Sequence, residues 1–335
     1  MTTDIHAHIV PEAFINDLAA EVPAAAPKIE NRSDGWYFSY PNGRVSGPFP
    51  AGMFDVGARL ADMDRDGVKV HALSVPPPQF QYKLETAAAA AHAQLYNDSL
   101  IDIARAHPER FVVLGHLPMQ DPYAAAAEVE RLVSVPEVVG LEVATNVTGT
   151  NLGDDRFAEL WTTIADAGLA VVLHPSDVAG HDRMHDYYLH NFVGNPTDST
   201  LAAGSLIFSG VLERNAALRI ALLHGGGFLP YQIGRFDHGW KVRPEPKARI
   251  DRAPSQYLDR FWFDTLTHDR DSLAFLLQRV GADRLALGSD YPFDMADPDP
   301  VGTVRATITD PVALEKVLVH TPQQLLTRTV AVSHA

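Results

Sequence analysis

Asp4-Ile5-His6-Ala7-His8 lies near the start of this chain, directly before the apolar run Ile9-Val10-Pro11. Two histidines one residue apart suit a β-strand, in which alternate side chains project from the same face. Both imidazoles of such a strand can reach a single cation. A lone His-x-His pair is a weak signal, because short pairs of this kind occur by chance. The positions of the other unusual residues therefore have to decide what this pair means.

Three further polar residues each end an apolar run. His174 ends Leu169-Ala-Val-Val-Leu173, His224 ends Ile220-Ala-Leu-Leu223, and Asp290 ends Leu285-Ala-Leu-Gly-Ser289. Runs of this length and composition are typical of buried strands. Any one histidine in such a place can be a hydrogen-bonded core residue. Polar residues at the carboxyl ends of four hydrophobic strands are hard to explain by packing, and together they indicate a metal site.

Strand-like and helix-like segments alternate along the chain, which favours a parallel sheet with crossover helices. The predicted strands are residues 4–9, 69–76, 111–117, 138–144, 170–174, 219–224, 261–266 and 284–290. The clearest helices are predicted over residues 86–107, 122–133, 155–167 and 272–280. Eight strand–helix units predict an α/β fold of the (β/α)₈ TIM-barrel type. A doubly wound sheet is the alternative, but no G-x-G-x-x-G motif follows the first strand.

Two segments interrupt the alternation. Residues 20–55 contain 36–40 and 44–46 around Pro41-Asn42-Gly43, which predicts a hairpin with an Asn-Gly turn. We interpret this segment as a small β insertion after strand one, lying over the barrel mouth as a lid or as a source of substrate contacts. A second irregular insertion is predicted over residues 178–200, where Pro196 can open the following helix. No repeat or linker is visible, so residues 1–335 are expected to form a single domain.

Composition limits the classes of function. The 335 residues are 46% hydrophobic, so the chain can bury a large core. It has 15 histidines and no cysteine, so any metal must take nitrogen and oxygen ligands. A net charge of −15 argues against nucleic-acid and anionic-membrane partners. No segment approaches the roughly 20 apolar residues of a membrane span. The start lacks the pattern of a signal sequence, and a cytoplasmic enzyme is expected.

In barrel enzymes the active site is built from the carboxyl ends of the strands. His6, His8, His174, His224 and Asp290 all meet that requirement. Neutral imidazoles and a carboxylate suit Zn²⁺, Mn²⁺ or Fe²⁺. Such an ion with an open position can lower the pKa of bound water to roughly 7 or polarise a substrate oxygen. The residues therefore predict metal-assisted chemistry on a small molecule.

The chain resembles the amidohydrolase superfamily, and within it the branch of amidohydrolase-related decarboxylases. The resemblance runs nearly from end to end, and its blocks His224-Gly-Gly-Gly227 and Gly288-Ser-Asp-Tyr-Pro-Phe293 are specific in combination. The other matching segments are residues 4–11, Met63-Asp-Arg-Asp-Gly-Val68, Leu117-Pro-Met-Gln120, His174-Pro-Ser-Asp177 and residues 234–239.

This resemblance implies roles for the strand-end residues. It implies metal ligation by His6, His8, His174 and Asp290, with Asp290 also counted among the catalytic residues. His224 then lies beside the metal-bound water as acid/base, the carbon bearing the carboxylate is protonated, and CO₂ is lost. Residues 138–144 contain no lysine to bridge two metals. One divalent ion is therefore expected, zinc first, with manganese or iron as alternatives.

Substrate contacts are less strongly marked. The resemblance places Arg243 in the pocket of a neighbouring subunit, where it would hold a substrate carboxylate, and so implies a homodimer. Phe293 and Trp240 are candidate pocket residues. Asp264, at the end of strand seven, is a candidate hydrogen-bond acceptor for a ligand histidine. His116, at the end of strand three, is interpreted as structural or pocket-lining.

Two departures bear on the substrate. The branch includes semialdehyde decarboxylases that act on aminocarboxymuconate, with a carboxylate-binding arginine and a tryptophan in their insertions. Gly47 and Asn191 stand at those two positions here, so that substrate is expected to be a poor one. Arg44 is a neighbouring arginine that could substitute.

Three interpretations of function compete. The leading one is a metal-dependent, non-oxidative decarboxylase of a small unsaturated or aromatic carboxylic acid. The second is a metal-dependent hydrolase that uses activated water on a C–C, ester or amide bond, because the same site serves both reactions. The third is a barrel that binds metal or ligand without catalysis, which a missing ligand or a missing His224 would favour. Release of CO₂, as against a new carboxylate, separates the first two.

Overall fold

A computed structural model describes residues 1–23, 26–40, 43 and 45–328 of the chain. In these residues the strands are β1 (Thr3–His8), β2 (Lys28–Arg32), β3 (Gly35–Ser39), β4 (Val45–Phe49), β5 (Val70–Ser74), β6 (Phe111–His116), β7 (Val138–Ala144), β8 (Asn146–Val147), β9 (Thr150–Asn151), β10 (Ala170–His174), β11 (Arg219–Leu222), β12 (Phe261–Asp264) and β13 (Leu285–Ala286).

Eight of these strands form one sheet in the order β1-β5-β6-β7-β10-β11-β12-β13. Each neighbouring pair is parallel. Each strand overlaps one of the eight predicted from the sequence, which confirms the (β/α)₈ TIM barrel. The carboxyl ends of all eight strands therefore meet at one mouth, where the strand-end histidines were expected to converge.

The barrel closes between β1 and the residues that follow β13, a junction that we call the barrel seam. The Asp290 N–H donates to the His6 carbonyl at 2.9 Å, and the His8 N–H donates to the Tyr291 carbonyl at 2.7 Å. β13 has two residues, fewer than the predicted strand 284–290. After Ala286 the Leu287 N–H donates to the Val317 carbonyl oxygen and the Gly288 N–H donates to the Thr265 side chain, so the ladder with β12 ends there.

Helices cover the outside of the sheet, as the crossover pattern predicts. They are α1 (Glu12–Glu21), α2 (Val56–Asp66), α3 (Thr86–Ala106), α4 (Pro122–Leu132), α5 (Ala158–Ala167), α6 (Asn195–Phe208), α7 (Val211–Arg214), α8 (Leu229–Val242), α9 (Arg270–Val280), α10 (Pro300–Thr307), α11 (Pro311–Glu315) and α12 (Thr321–Leu326). The four helices predicted most clearly correspond to α3, α4, α5 and α9. The Asp121 and Asp269 side chains cap α4 and α9 by accepting hydrogen bonds from backbone N–H groups.

Within the described part of the chain, no helix combines the length and the apolar character needed to cross a membrane.

The hydrophobic core has two parts. The larger part packs the helices against the outside of the barrel. The smaller part takes residues from seven of the eight barrel strands, with Val139 of the eighth, β7, packed against it, and so lies inside the barrel. Its members are Ile5, Ala72, Leu114, Ala170, Val172, Ala221, Leu223, Trp262, Ala286, Leu325 and Leu326, with Val112 and Val139 packed against them. This apolar interior gives the strand-end residues a rigid base.

The predicted insertion 20–55 contains a small antiparallel sheet in the order β2-β3-β4. The strands β3 and β4 match the predicted hairpin, whereas β2 was not predicted, because its sequence Lys28-Ile-Glu-Asn-Arg32 is mostly polar and exposed. Pro41, Asn42 and Arg44 lie outside the described residues, and so the Asn-Gly turn stays a prediction. Phe38 and Phe49 are buried under this sheet with their ring centroids 5.3 Å apart.

The second predicted insertion, residues 178–200, is irregular over most of its length. It has a 3₁₀ turn at His181–Arg183 and a single π-helical turn at His190–Gly194. Helix α6 already begins at Asn195, earlier than predicted, and Pro196 lies in its first turn. The prediction that Pro196 opens a helix is confirmed.

Candidate active site at the barrel mouth

Five side chains converge at the carboxyl end of the barrel, and we call them the central cluster: His6 and His8 of β1, His174 at the end of β10, His224 after β11, and Asp290 after β13. Neighbouring imidazole rings in the cluster have centroids 5.1–5.2 Å apart. The structure thus brings together every residue that the sequence analysis assigned to metal binding or to acid/base chemistry.

Asp290 is at the centre of this cluster. Its Oδ1 lies 3.1 Å from His6 Nε2, 3.2 Å from His8 Nε2 and 3.9 Å from His174 Nε2. None of these four buried atoms makes a hydrogen bond within the described residues. Buried polar atoms without a partner are rare in folded proteins. Four such atoms facing one another are what a cation site requires.

In three of the imidazoles, the ring nitrogen Nδ1 points away from the centre of the cluster and contacts a hydrogen-bond acceptor. His6 Nδ1 lies 2.8 Å from Asp264 Oδ2, and His174 Nδ1 lies 2.8 Å from the Pro175 carbonyl oxygen. His8 Nδ1 lies 3.1 Å from the Val75 carbonyl oxygen. An Nδ1–H that donates to such an oxygen leaves the lone pair on Nε2, which points into the cluster. The predicted contact between Asp264 and a ligand histidine is present.

The donor set fits a divalent metal ion. His6, His174, His224 and Asp290 each offer a ligand atom within 4.8 Å of the others. His8 is not in this group, although its Nε2 approaches the same carboxylate oxygen as His6 Nε2. Imidazole nitrogen with one carboxylate oxygen is a donor set typical of Zn²⁺ and related ions.

Electrostatics favour a cation at the same point. Burial alone would raise the pKa of Asp290, but the imidazoles around it, His6 foremost, hold that pKa well below its usual range. Burial lowers the pKa of His8 to about 4 and that of His174 to about 3. Burial opposes protonation of His6 as well, but Asp290 and Asp264 outweigh it and raise the pKa of His6 to about 10. The centre therefore combines an ionised Asp290 with neutral His8 and His174, and a proton on His6 has to leave before an ion is bound there.

His224 differs from the other three histidines in its surroundings. Its Nε2 lies 3.5 Å from Asp290 Oδ2, and its Nδ1 has no hydrogen-bond partner among the described residues. Its side chain is 16% exposed, against at most 4% for the other three histidines. An imidazole that no acceptor holds, and that solvent reaches, can exchange a proton more freely than a fixed ligand.

The backbone at two cluster residues is strained. His224 has φ 55° and Asp290 has φ 63°, values that side chains other than glycine seldom adopt. The three glycines after His224 also have positive φ, and a Cβ on Gly227 would lie 2.2 Å from the Pro196 carbonyl oxygen. Strain of this kind persists where the surrounding fold enforces it, and it is concentrated at functional sites.

Two buried charged residues near the cluster were not predicted. Glu142 of β7 has an Oε2 3.9 Å from His8 Nδ1, and burial raises the pKa of Glu142 to about 8. Arg59 of α2 is fully buried and donates to the carbonyl oxygens of His8 and Gly52. Glu142 could have been noticed in the sequence, because a glutamate is unusual inside the apolar run 138–144. The sequence offered no comparable signal for Arg59, which lies in an ordinary amphipathic helix.

The predicted substrate-binding residues differ in how close they lie to the central cluster. The Phe293 ring is 5.3 Å from the His8 ring and 5.9 Å from the Phe49 ring, so it joins the central cluster to the small sheet. Asn191 is half-buried in the π-helical turn of the second insertion. Phe293 is therefore the one member of the predicted set with a described ring contact to the cluster.

Arg243 and Trp240 are placed away from these contacts. Arg243 follows α8, is exposed, and pairs with Glu245. Trp240 is half-buried against the outer core, with Lys247 Nζ 5.5 Å from its ring centroid. His116, as interpreted from the sequence, is buried outside the cluster and stacks on Tyr82 with ring centroids 5.9 Å apart.

Comparison with known proteins adds the family context. The sequence profile described as amidohydrolase matches residues 3–328. The 2-amino-3-carboxymuconate-6-semialdehyde decarboxylase of Dictyostelium discoideum is 32% identical over 88% of this chain and 82% of its own length.

Solved structures share the fold. An IDCase of Metarhizium anisopliae in its apo form superposes with a TM-score of 0.84 at 20% identity, covering 97% of both chains. A dihydroxybenzoic acid decarboxylase of Polaromonas sp. JS666, solved with manganese and 2-nitroresorcinol, superposes with a TM-score of 0.79 at 23% identity. That match covers 97% of this chain and 96% of the other.

Proposed function

This chain belongs to the amidohydrolase family, and on that basis we propose that it is a metal-dependent, non-oxidative decarboxylase, a carboxy-lyase. Its substrate is a small aromatic or unsaturated carboxylic acid. The observation that carries the proposal is a set of four buried donor atoms, on His6, His8, His174 and Asp290, that have no hydrogen-bond partner in the described part of the chain. A less constrained His224 lies beside them. The relatives whose names include a decarboxylase activity support the same reaction class.

Each cluster residue has a role in this proposal. His6, His8, His174 and Asp290 hold the ion, and Asp264 and the carbonyl groups of Val75 and Pro175 fix the imidazoles for it. The bound ion supplies a positive charge that orients the substrate and stabilises negative charge during the reaction. We propose zinc, with manganese and iron as the alternatives, because three imidazoles and a carboxylate suit these ions. The manganese in one structural neighbour supports the second choice.

His224 carries the proton in this scheme. It donates a proton to the ring or chain carbon that bears the carboxylate. The bond from that carbon to the carboxylate then breaks, its electron pair restores the unsaturation, and CO₂ leaves. One proton is consumed for each CO₂ released, and His224 regains its proton from solvent, which its 16% exposure allows. Histidine is the side chain that enzymes use most often as a general acid or base.

An aromatic wall beside the cluster suits a flat substrate. Phe293 stands between the His8 ring and Phe49 of β4, so the small sheet contributes to the wall of the pocket. Rings prefer offset or edge-to-face contact with other rings, which is worth about 0.5–1.5 kcal/mol beyond the burial of area. This supports an aromatic acid over an aliphatic one.

The test of the proposed function is CO₂ evolution by the metal-reconstituted protein. Hydroxybenzoates, salicylate-type acids and carboxymuconates are offered, and both CO₂ and new carboxylate groups are measured. CO₂ with a product one carboxylate smaller supports the decarboxylase. A new carboxylate without CO₂ would show the alternative, a metal-dependent hydrolase of a C–C, ester or amide bond.

We predict that 2-amino-3-carboxymuconate-6-semialdehyde is a poor substrate of this protein. An arginine–carboxylate contact contributes about 1.5–3 kcal/mol, or roughly 10- to 150-fold in affinity. The position aligned with that arginine is Gly47 here. We expect kcat/KM for the semialdehyde to be at least about tenfold below that for the best hydroxybenzoate. Comparable values would mean that another residue, such as Arg44, holds the second carboxylate.

The backbone at Gly47 limits how this prediction is tested. Gly47 has φ 132°, and a Cβ there would lie 2.6 Å from the Trp36 carbonyl oxygen. An arginine at this position would therefore distort the pairing of β3 and β4 instead of adding a clean contact. The comparison is accordingly made between substrates on the unchanged protein.

We also propose that the chain forms a homodimer. A groove of about 650 Å³ lies between α6 and α8, and most of its exposed surface is apolar, with Leu201, Phe228 and Phe236 among the residues that line it. Leu201 and Phe228 are more than 40% exposed. Arg243 follows α8 and would reach a second copy seated on this face.

Light scattering is expected to give about twice the 36.6 kDa of one chain, and the Leu201→Glu variant is expected to give the mass of one chain. A monomeric unchanged protein would contradict the proposal.

A further inference from the structure

Three histidines lie together outside the central cluster, in the irregular segment that follows β10. We call His181, His185 and His190 the surface histidines. His181 and His185 are exposed, and His190 is half-buried. The ring centroids of His181 and His185 are 5.3 Å apart, and those of His181 and His190 are 6.3 Å apart. Neither the proposed reaction nor the barrel core uses these side chains.

The spacing of these rings resembles that of the central cluster. There, imidazoles that face one candidate ion have centroids 5.1–5.2 Å apart. The pair His181–His185 already has this spacing, and His190 is about 1 Å further away. Exposed histidine side chains can change rotamer at little cost, because no core packing fixes them. Side-chain rotation is required to bring the three imidazole nitrogens to one point, because in the described residues a ready group of ligand atoms is found in the central cluster and not here.

The chemistry of the segment suits a divalent transition ion. Imidazole is a preferred ligand of Zn²⁺, Cu²⁺ and Ni²⁺, whereas Mg²⁺ and Ca²⁺ prefer oxygen. Asp182 and Asp186 lie in the same segment, and the whole chain has a net charge of −15, so a cation is attracted to it. An exposed site of three imidazoles leaves open positions for water, and so its affinity is expected to be below that of the buried cluster.

The same segment contacts the mouth of the barrel through Tyr188. The Tyr188 ring centroid is 4.7 Å from that of His190, and its hydroxyl donates to Asp294 Oδ1 at 3.4 Å. Asp294 follows Phe293, whose ring faces His8. An ion held by the surface histidines would therefore fix a segment that is joined to the wall of the active site.

We propose that His181, His185 and His190 form a second, weaker metal site for a divalent transition ion such as Zn²⁺, and that its occupation orders residues 181–194 beside the barrel mouth. This inference is independent of the proposed function, because it requires neither the decarboxylation nor an ion in the central cluster.

The test is equilibrium dialysis of the full-length protein against rising Zn²⁺, with zinc per chain as the readout. The unchanged protein is expected to bind a second, weaker equivalent beyond the tight one. His181→Gln and His190→Gln are each expected to weaken this second equivalent by at least about tenfold, since even the loss of a residue that only supports a ligand costs that much. The matched control, His320→Gln, removes an exposed histidine from a distant helical turn and is expected to keep both equivalents.

Hydrogen exchange gives an independent readout. Zinc at the second equivalent is expected to slow amide exchange in residues 181–194 of the unchanged protein, but not of His181→Gln. A single zinc equivalent in the unchanged protein would overturn the proposal. So would a second equivalent that survives in both His181→Gln and His190→Gln, or that the His320→Gln control loses.

Discussion

His224→Ala is expected to lower turnover by a factor on the order of 10² or more while the protein keeps its fold and its metal. The structure gives the reason. His224 lies beside the central cluster, but its Nδ1 is not held by an acceptor among the described residues, unlike the Nδ1 atoms of His6, His8 and His174. Removing it takes away the proton donor and leaves the three fixed imidazoles and Asp290 in place.

Turnover and metal content are measured on the same samples of His224→Ala. Added imidazole is expected to restore part of the lost turnover, since the deletion leaves space for it beside Asp290. His238→Ala is the matched control, because His238 is an exposed histidine on the helix that follows. Near-normal turnover of His224→Ala with an authentic substrate would show that the acid/base assignment is wrong. Loss of the metal would make His224 a ligand instead.

His174→Ala is expected to reduce the metal content from one tightly bound ion per chain to nearly none. His174 is buried, its Nδ1 is fixed by the Pro175 carbonyl group, and its Nε2 faces Asp290 without a hydrogen-bond partner in the described residues. Removing it leaves a smaller donor set and a cavity in a buried polar site. Turnover is expected to fall with the metal, and elemental analysis of the unchanged protein identifies the ion.

A milder substitution distinguishes the loss of a metal ligand from general damage to the site. Asp264→Asn keeps the shape of the side chain that fixes His6 Nδ1 but removes its charge. Loss of such a supporting contact lowers metal affinity by roughly 10- to 100-fold, so this variant is expected to lie between the unchanged protein and His174→Ala. Full metal content in His174→Ala, or no metal in the unchanged protein, would contradict the assigned site.

The barrel and its cluster were predictable because both depend on local patterns. Apolar runs alternating with helical segments identified all eight barrel strands, and polar residues at the ends of four runs identified the cluster. The partners of the imidazoles were less accessible to prediction. Val75 accepts from His8 across 67 residues of sequence, and nothing in a backbone carbonyl group marks it for that role.

Other features depend on tertiary structure that no local pattern encodes. The mostly polar β2 forms because β3 pairs with it, and β13 is short because the Leu287 N–H donates to Val317 and not to a neighbouring strand. The sequence aligned Gly47 with an arginine, but it did not reveal that a Cβ at this position would lie against the Trp36 carbonyl oxygen. The single-domain organisation, the homodimer and the cytoplasmic location stay predictions. So do the roles of the cluster residues and the substrate contacts of Arg243, Phe293, Asn191 and Trp240.

The barrel seam also sets the order in which this site can come into existence during synthesis. The Ser289 N–H donates to Asp4 Oδ1 at 3.2 Å across 285 positions of sequence, and Asp290, the next residue, is the carboxylate that faces His6 and His8. A nascent chain therefore exposes its first two imidazoles long before the ribosome has added the carboxylate that completes their site. The ion can be captured by the full set of ligands only once synthesis has passed Asp290, so metal capture follows the synthesis of all eight barrel strands.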